Sequence, residues 1–94
     1  MSYRLIFLAS AMREWEKLDP DIRQQFKKKL TARLEAPRVA SDRLSTVKDC
    51  YKIKLRSAGY RLVYQVREQE IVIAVVAVGK RDRNAVYRVA ANRL

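Results

Sequence analysis

The apolar residues of this chain repeat at two different spacings, and the spacing changes after Ala36-Pro37. Before that point, Ile22, Phe26, Leu30 and Leu34 recur every four residues, which predicts an amphipathic helix. Beyond it, apolar and polar residues alternate along three segments, which predicts strands with one buried face. A helical part followed by several strands favours an α+β domain, so we expect residues 1–94 to form one domain.

The predicted order is β-α-α-β-β-β-α, with an antiparallel sheet core packed against an N-terminal helical hairpin, and with a C-terminal helix. All helices are expected on one face of the sheet. Ser10 is expected to cap the first helix, with Met12, Trp15 and Leu18 on one face, and Asp19-Pro20 is expected to begin the second helix. The predicted elements are a strand over 3–8, helices over 10–18 and 20–35, strands over 48–55, 60–67 and 70–78, and a helix over 82–92.

The charge of the chain points to a polyanionic partner. Lysine and arginine number 21 against 10 acidic residues, which gives a net charge of +11. Such an excess is typical of proteins that bind nucleic acid, an anionic surface or an acidic protein.

The composition also excludes several kinds of site. The chain has no histidine, one cysteine and two glycines. These counts exclude Cys/His zinc sites, imidazole catalysis, disulfide frameworks and glycine-rich nucleotide loops, so we expect neither cofactor nor metal. With no signal-peptide pattern and no apolar run of membrane-spanning length, the chain is expected to be cytoplasmic, without a membrane partner.

Alternation in the first two strands of the meander separates apolar from cationic residues. Tyr51, Ile53 and Leu55 alternate with Lys52 and Lys54. The next strand has its apolar residues at even positions instead. A strand pair that buries both apolar sets therefore gathers the cations on the opposite face.

A turn centred on Ala58-Gly59 predicts which residues pair across this hairpin. We expect Lys52 opposite Gln65, Lys54 opposite Val63, and Arg56 opposite Arg61. Like charges so close repel each other, and a bound phosphate would relieve the repulsion. The residues alone leave two interpretations open, a solvated outer face or an anion-binding site.

The hairpin and the C-terminal segment together resemble the RelE family of toxins from bacterial toxin–antitoxin pairs. The similarity is carried by Asp49-Cys50-Tyr51-Lys52-Ile53-Lys54-Leu55-Arg56-Ser57, by Gly59-Tyr60-Arg61-Leu62-Val63-Tyr64, and by Val78-Gly79-Lys80-Arg81 with Tyr87. It extends over essentially the whole chain. The resemblance implies a ribosome-dependent endoribonuclease that cuts mRNA in the 30S A site. It also implies a RelB-like antitoxin that neutralises the toxin and joins it in repressing their operon, with operator DNA bound through the complex.

The resemblance further implies a set of catalytic residues. They are Lys52, Lys54, Arg61, Arg81 and Tyr87. Lys54 is our preferred general base, since neighbouring cations lower the pKa of a lysine, although Lys52 and Tyr87 remain alternatives. Arg61 fits phosphate clamping, Arg81 fits stabilisation of the leaving group, and Tyr87 fits base stacking or hydrogen bonding near the 2′-hydroxyl. From the residues alone, the favoured interpretation of Tyr87 is a partly buried helix residue.

Other cations are expected to bind RNA or the ribosome. They are Lys27, Lys28, Lys29, Arg43, Lys48, Arg56, Lys80 and Arg83. Close relatives carry Arg-Gly where this chain has Ser45-Thr46, and Arg43 is the candidate to replace the missing cation.

Two other functions remain open at this point. One is a toxin of the ParE group, which inhibits DNA gyrase by binding. That group lacks the combined set that this chain has at Lys52, Lys54, Arg61 and Arg81, so these residues favour the nuclease. The other is a basic module that only binds RNA or DNA.

Overall fold

A computed structural model describes residues 2–94 and confirms the predicted α+β order. The elements are β1 (Arg4–Phe7), α1 (Ala9–Glu16), α2 (Pro20–Glu35), β2 (Cys50–Leu55), β3 (Tyr60–Arg67), β4 (Val72–Lys80) and α3 (Ala85–Arg93). Short 3-10 helices, Ala40–Asp42 and Glu68–Glu70, lie in the connections. In residues 2–94, every helix is too short or too polar to cross a bilayer.

The four strands form one sheet in the order β1-β4-β3-β2. β2, β3 and β4 make the predicted antiparallel meander. β1 lies parallel to β4, from the Arg4–Val72 pair to the Phe7–Val75 pair, which the residue pattern did not predict. Parallel neighbours need a long crossover, and here the chain passes through α1, α2, β2 and β3 before β4 returns beside β1.

Helices cover both faces of the sheet, so the prediction that all helices pack on one face is wrong. Trp15 of α1 and Phe26 of α2 pack with Ile53 of β2 in one apolar cluster. Val86 and Ala90 of α3 belong to a second cluster on the other face. The second cluster exists because that face also carries apolar residues, namely Cys50, Val63, Val76 and Ala77, which need cover from water.

The start of α1 differs from the prediction. The helix begins at Ala9 with Leu8 at the N-cap position, so Ser10 does not cap it. Leu8 serves both elements: its N–H donates to the Val75 carbonyl, and its carbonyl accepts from the N–H of Met12. The buried face passes through Ala11, Trp15 and Leu18, so Ala11 is buried in place of Met12, which is 37% exposed. The second helix begins at Pro20 after Asp19, as predicted.

The hairpin of β2 and β3 has a different register from the predicted one. Lys52 pairs with Val63 and Lys54 with Arg61, a shift of two residues from the predicted pairs Lys52–Gln65 and Lys54–Val63. Arg56, expected opposite Arg61, lies instead in the turn. The cause is a turn over residues 56–59 that Gly59 closes: its φ is +73°, and its N–H donates to the Leu55 carbonyl at 2.8 Å.

Left-handed residues set three element boundaries that differ from the predicted ones. Asp49, with φ 63°, delays β2 to Cys50. Ile71, with φ 53°, delays β4 to Val72. Asn84, with φ 64°, delays α3 to Ala85.

Ile71 provides a test of this backbone strain. Its φ and ψ are both 53°, in the left-handed region, a conformation that is unfavourable for residues with β-branched side chains. Its side chain is 37% exposed, so packing offsets little of the strain. We expect Ile71→Asn to raise the free energy of unfolding by about 1 kcal/mol, because asparagine tolerates this conformation. Urea unfolding followed by circular dichroism measures the change. Ile71→Val keeps the branched side chain and is the control; an asparagine variant no more stable than it contradicts the interpretation.

Candidate active site

The sheet face under α3 places three of the predicted catalytic cations together. Lys54 lies directly opposite Arg61, and Lys52 lies two residues before Lys54 on the same face. All three side chains are partly buried. Helix α3 packs on the apolar residues of the same sheet face. The three cations lie next to the area that it covers.

An open cleft of about 650 Å³ lies between these cations and α3. Its lining consists of Leu44, Ser45, Thr46, Lys52, Lys54, Arg61, Asn84, Tyr87, Arg88 and Ala91. The charged side chains in this lining are all cationic. The cleft therefore suits an anionic chain such as the phosphate backbone of RNA.

The ring of Tyr87, on α3, lies over the cations Lys52 and Arg61. It lies 5.9 Å from the Lys52 Nζ and 5.2 Å from the Arg61 guanidinium carbon, as in cation–π contacts. Its hydroxyl is buried and has no hydrogen-bond partner among residues 2–94. Burial raises the pKa of Tyr87, an effect that the charge of Arg61 partly opposes. The phenol therefore stays protonated at neutral pH and can donate a hydrogen bond.

The surroundings of Lys54 lower the pKa of its side chain. The charge of Lys52 is the largest influence that lowers the pKa of Lys54, followed by desolvation and by the charges of Arg61 and Arg56. Asp42 opposes this shift. A lysine among cations gives up its proton more readily, which is what a general base needs.

Arg81 lies beside the main cleft rather than in its lining. Its backbone N–H donates to the Gly59 carbonyl at 2.7 Å, which joins the end of β4 to the hairpin turn. Its side chain is exposed and lines a smaller depression that also includes Lys54, Arg56 and Arg61. The two depressions share Lys54 and Arg61, so Arg81 extends the cationic surface around the turn.

The predicted RNA- or ribosome-binding cations are all exposed, at several places on the surface. Lys27, Lys28, Lys29, Arg43, Lys48, Arg56, Lys80 and Arg83 make up this set. Lys29 shares a groove with Lys54 and Arg56, so α2 and the hairpin turn form a continuous cationic strip. Arg43 pairs with Tyr51 and directly precedes the cleft residues Leu44 and Ser45.

Three polar residues near the site were not predicted from the sequence, and two of them belong to the cleft. Asn84 accepts a hydrogen bond from Arg61 at 3.1 Å and so orients it. Arg88 lines the cleft and donates to the Arg83 carbonyl at 2.7 Å. The helical spacing of residues 84, 87, 88 and 91 was the available signal.

The third such residue, Arg33, lies behind the site. It donates to the Tyr64 hydroxyl at 2.8 Å, to Asp42 at 2.6 Å and to the Lys52 carbonyl at 3.4 Å. It thereby joins α2 to the strand that carries the lysines. No period-two or period-four pattern distinguishes such a residue from the other cations of α2.

Cys50 lies on the cationic side of the sheet but is fully buried in the second apolar cluster. Burial raises the pKa of its thiol to about 11, and the charge of Asp49 adds to this effect. The thiol is therefore protonated and inert at neutral pH. In the part of the chain that the structure describes, no three metal-ligating side chains cluster together.

Known proteins resemble this chain over its full length. The family described as ParE toxin of type II toxin–antitoxin system, parDE, matches residues 5–85. The mRNA interferase toxin RelE of Escherichia coli K12 is 51% identical over 94 residues, covering 100% of this chain and 99% of that protein.

Solved structures agree with that relationship. A mutant of E. coli toxin RelE in the free state superimposes with a TM-score of 0.92 at 49% identity, covering 100% of this chain and 99% of that one. RelE in the intact E. coli RelBE toxin–antitoxin complex gives a TM-score of 0.84 at 51% identity, over 87% of this chain and 100% of that one. The chain thus belongs to the RelE family of type II toxin–antitoxin toxins, within the broader ParE toxin family.

Proposed function

We propose that this chain cleaves mRNA in the ribosomal A site, through attack of a 2′-hydroxyl on the adjacent phosphate and without a metal ion. As a RelE-family toxin it is an mRNA interferase, that is, an endoribonuclease. The observation that carries the proposal is the convergence of Lys52, Lys54, Arg61 and Tyr87 in one cleft whose charged lining is cationic. Residues 1–94 act as a single toxin domain.

The reaction needs a base, a phosphate clamp and stabilisation of the leaving oxygen. Lys54 removes the proton of the 2′-hydroxyl, since the charge of Lys52 lowers its pKa. Lys52 and Arg61 hold the phosphate, and the planar fork of Arg61 suits two of its oxygens. Arg81 stabilises the charge on the leaving 5′-oxygen and does not transfer a proton, because a guanidinium stays protonated in proteins.

Tyr87 acts through its ring and its hydroxyl, and not as a base. Burial raises its pKa, so a phenolate is disfavoured at neutral pH. The hydroxyl is buried and lacks a partner among residues 2–94, so it can donate to an RNA oxygen once RNA binding shifts the ring. Its ring offers a surface on which a base displaced from the mRNA can stack.

The net positive charge and the family membership of the chain indicate its partners. The exposed cations bind phosphates of the rRNA. Because the ribosome is in the cytoplasm, the toxin acts there. A RelB-like antitoxin neutralises the toxin; the E. coli relative is known in a toxin–antitoxin complex of this kind. The pair represses its own operon, with operator DNA bound through the complex.

The alternative function is that of a non-enzymatic gyrase inhibitor, since the matching family is described as ParE toxin. Primer extension on an mRNA after brief induction, with and without translation, distinguishes the nuclease from the gyrase inhibitor. Cuts within codons that require translation support the nuclease. Intact mRNA together with arrested gyrase supports the alternative, and cuts in free mRNA contradict ribosome dependence.

Loss of Arg61 should damage cleavage more than ribosome binding. The guanidinium lies on the floor of the cleft, where charge develops on the phosphate, and one such donor contributes about 2.7–4 kcal/mol. We expect Arg61→Ala to slow single-turnover cleavage on programmed ribosomes by about 10²–10³-fold at saturating toxin. Arg67→Ala, in the same strand but bonded to Gln65, is the control. Near-parental cleavage by Arg61→Ala would remove Arg61 from the mechanism.

The low pKa of Lys54 should depend on Lys52. Replacing Lys52 by glutamine removes the charge that most disfavours the protonated amine of Lys54. The pKa of Lys54 should therefore rise towards the ordinary lysine value. A pH titration of ¹³C-labelled lysine side chains measures it, with Lys28→Gln as a control of equal charge loss. A Lys54 titration that does not change between parent and Lys52→Gln rejects this origin of the shift.

The three lysines of α2 should serve docking. They are exposed, and consecutive helix positions point about 100° apart, so they cannot all face the cleft. Replacing Lys27, Lys28 and Lys29 by glutamine should weaken ribosome binding. It should also reduce the logarithmic salt slope of binding by about 0.7–0.9 for each phosphate that the variant no longer neutralises. Lys17→Gln is the control. Ribosome binding that keeps its affinity and slope across a salt titration would reject the docking role.

A further inference from the structure

The outer edge of β4 is only half covered by a neighbouring strand. β1 pairs with β4 as far as Val75, where the N–H of Leu8 makes the last contact. β4 continues to Lys80 with β3 on its inner side only. From Val76 onward the outer N–H and carbonyl groups need other partners, because open edge groups are costly when buried and attract foreign strands when exposed.

Glu14 and Arg93 supply those partners. The Val78 N–H donates to Glu14 Oε1 at 3.1 Å, and Arg93 Nη1 donates to the Val76 carbonyl at 2.7 Å. The two side chains also bind each other, with both Nη–Oε distances at 2.9 Å. Glu14 belongs to α1 and Arg93 ends α3, which lie on opposite faces of the sheet. The pair therefore bridges the two faces around the edge of β4.

Apart from this pair, α3 has a small anchor. Its buried apolar residues are Val86 and Ala90, whereas Val89 and Leu94 are 37% and 45% exposed. It also follows two left-handed residues, Arg83 and Asn84, with φ of 46° and 64°, a conformation that costs free energy. A helix of nine residues has little stability of its own, so tertiary contacts fix its position.

We propose that Glu14 and Arg93 are positioning residues for Tyr87: they clamp the end of α3 to the edge of β4 and hold the tyrosine ring over Lys52 and Arg61. Neither residue lines the cleft, so their effect passes through α3. The catalytic part of this inference rests on the proposed function. The clamp itself does not, and it is measured separately.

The test variant is Arg93→Met, which keeps an unbranched apolar side chain but removes the guanidinium and with it every side-chain donor. In the free protein, we expect amide exchange in α3 to accelerate by about tenfold or more, because the helix opens more easily, and the ring signals of ¹³C-labelled Tyr87 to shift. Cleavage on programmed ribosomes at saturating toxin should fall by about a hundredfold, since misplacement of a group by about 1 Å has that effect. Glu14→Gln, which keeps an acceptor for Val78, should give intermediate changes, and Arg93→Lys should restore part of the loss.

Two further variants make the test specific. In a Tyr87→Ala background, Arg93→Met should cause no further loss of cleavage, because the ring that Arg93 positions is already absent. Exchanging the charges, with Glu14→Arg and Arg93→Glu together, should not rescue, because Val78 needs an acceptor and Val76 needs a donor. The control is Arg13→Met, which replaces an exposed arginine beside Glu14 that donates to the Ser10 hydroxyl.

Unchanged exchange of α3 in Arg93→Met overturns the clamp, whatever the protein's activity. Faster exchange with unchanged Tyr87 signals or unchanged cleavage overturns the positioning role, as does an additive loss in the Tyr87→Ala background. If the parent itself fails to cleave mRNA on ribosomes, the proposed function is wrong. The exchange and ring-signal data then still decide whether the pair positions Tyr87.

Discussion

Burial of alternate residues decides which face of the sheet each side chain of β2 occupies. Tyr51, Ile53 and Leu55 are at most 4% exposed beneath the N-terminal helices, and each contributes about 1.5–3 kcal/mol by leaving water. A like-charge pair across two strands costs up to about 1 kcal/mol. The apolar core therefore outweighs the repulsion and holds Lys54 opposite Arg61 and two residues from Lys52. The charge of Lys52, followed by desolvation and the charge of Arg61, lowers the pKa of Lys54, so core packing creates the chemistry of the cleft.

This constraint explains why a wrong register still predicted the right cluster. Lys54 was predicted opposite Val63, whereas the structure pairs it with Arg61. A shift of two residues leaves every side chain on its own face, so the composition of each face was predictable from the alternation. The exact neighbours were not, because they depend on the turn that Gly59 closes. Backbone angles within such a turn are decided by sterics that hydrophobic spacing does not record.

The position of α3 was predicted wrongly although the sequence contained a signal for it. Residues 72–78 are apolar without alternation, and all are buried. A strand buried on both faces needs cover on both, which excludes a single layer of helices. Val76 and Ala77 belong to the cluster that α3 covers. Because α3 was expected on the other face, the helical spacing that groups Asn84 and Arg88 with Tyr87 did not lead to the prediction that they line the cleft.

The Glu14–Arg93 pair lay beyond sequence reasoning for another reason. Its two residues are 79 positions apart, and each resembles the other charged residues of its helix. Their contact exists because β1 ends early and leaves Val76 and Val78 with unpaired backbone groups. The ion pair is partly exposed, so its Coulombic attraction is modest, but its hydrogen bonds to the strand fix both polarity and geometry. The wall of the cleft thus depends on polar contacts at a strand edge, whereas its floor depends on the apolar core. We expect such a wall to be the part of the site that opens at the lowest free energy.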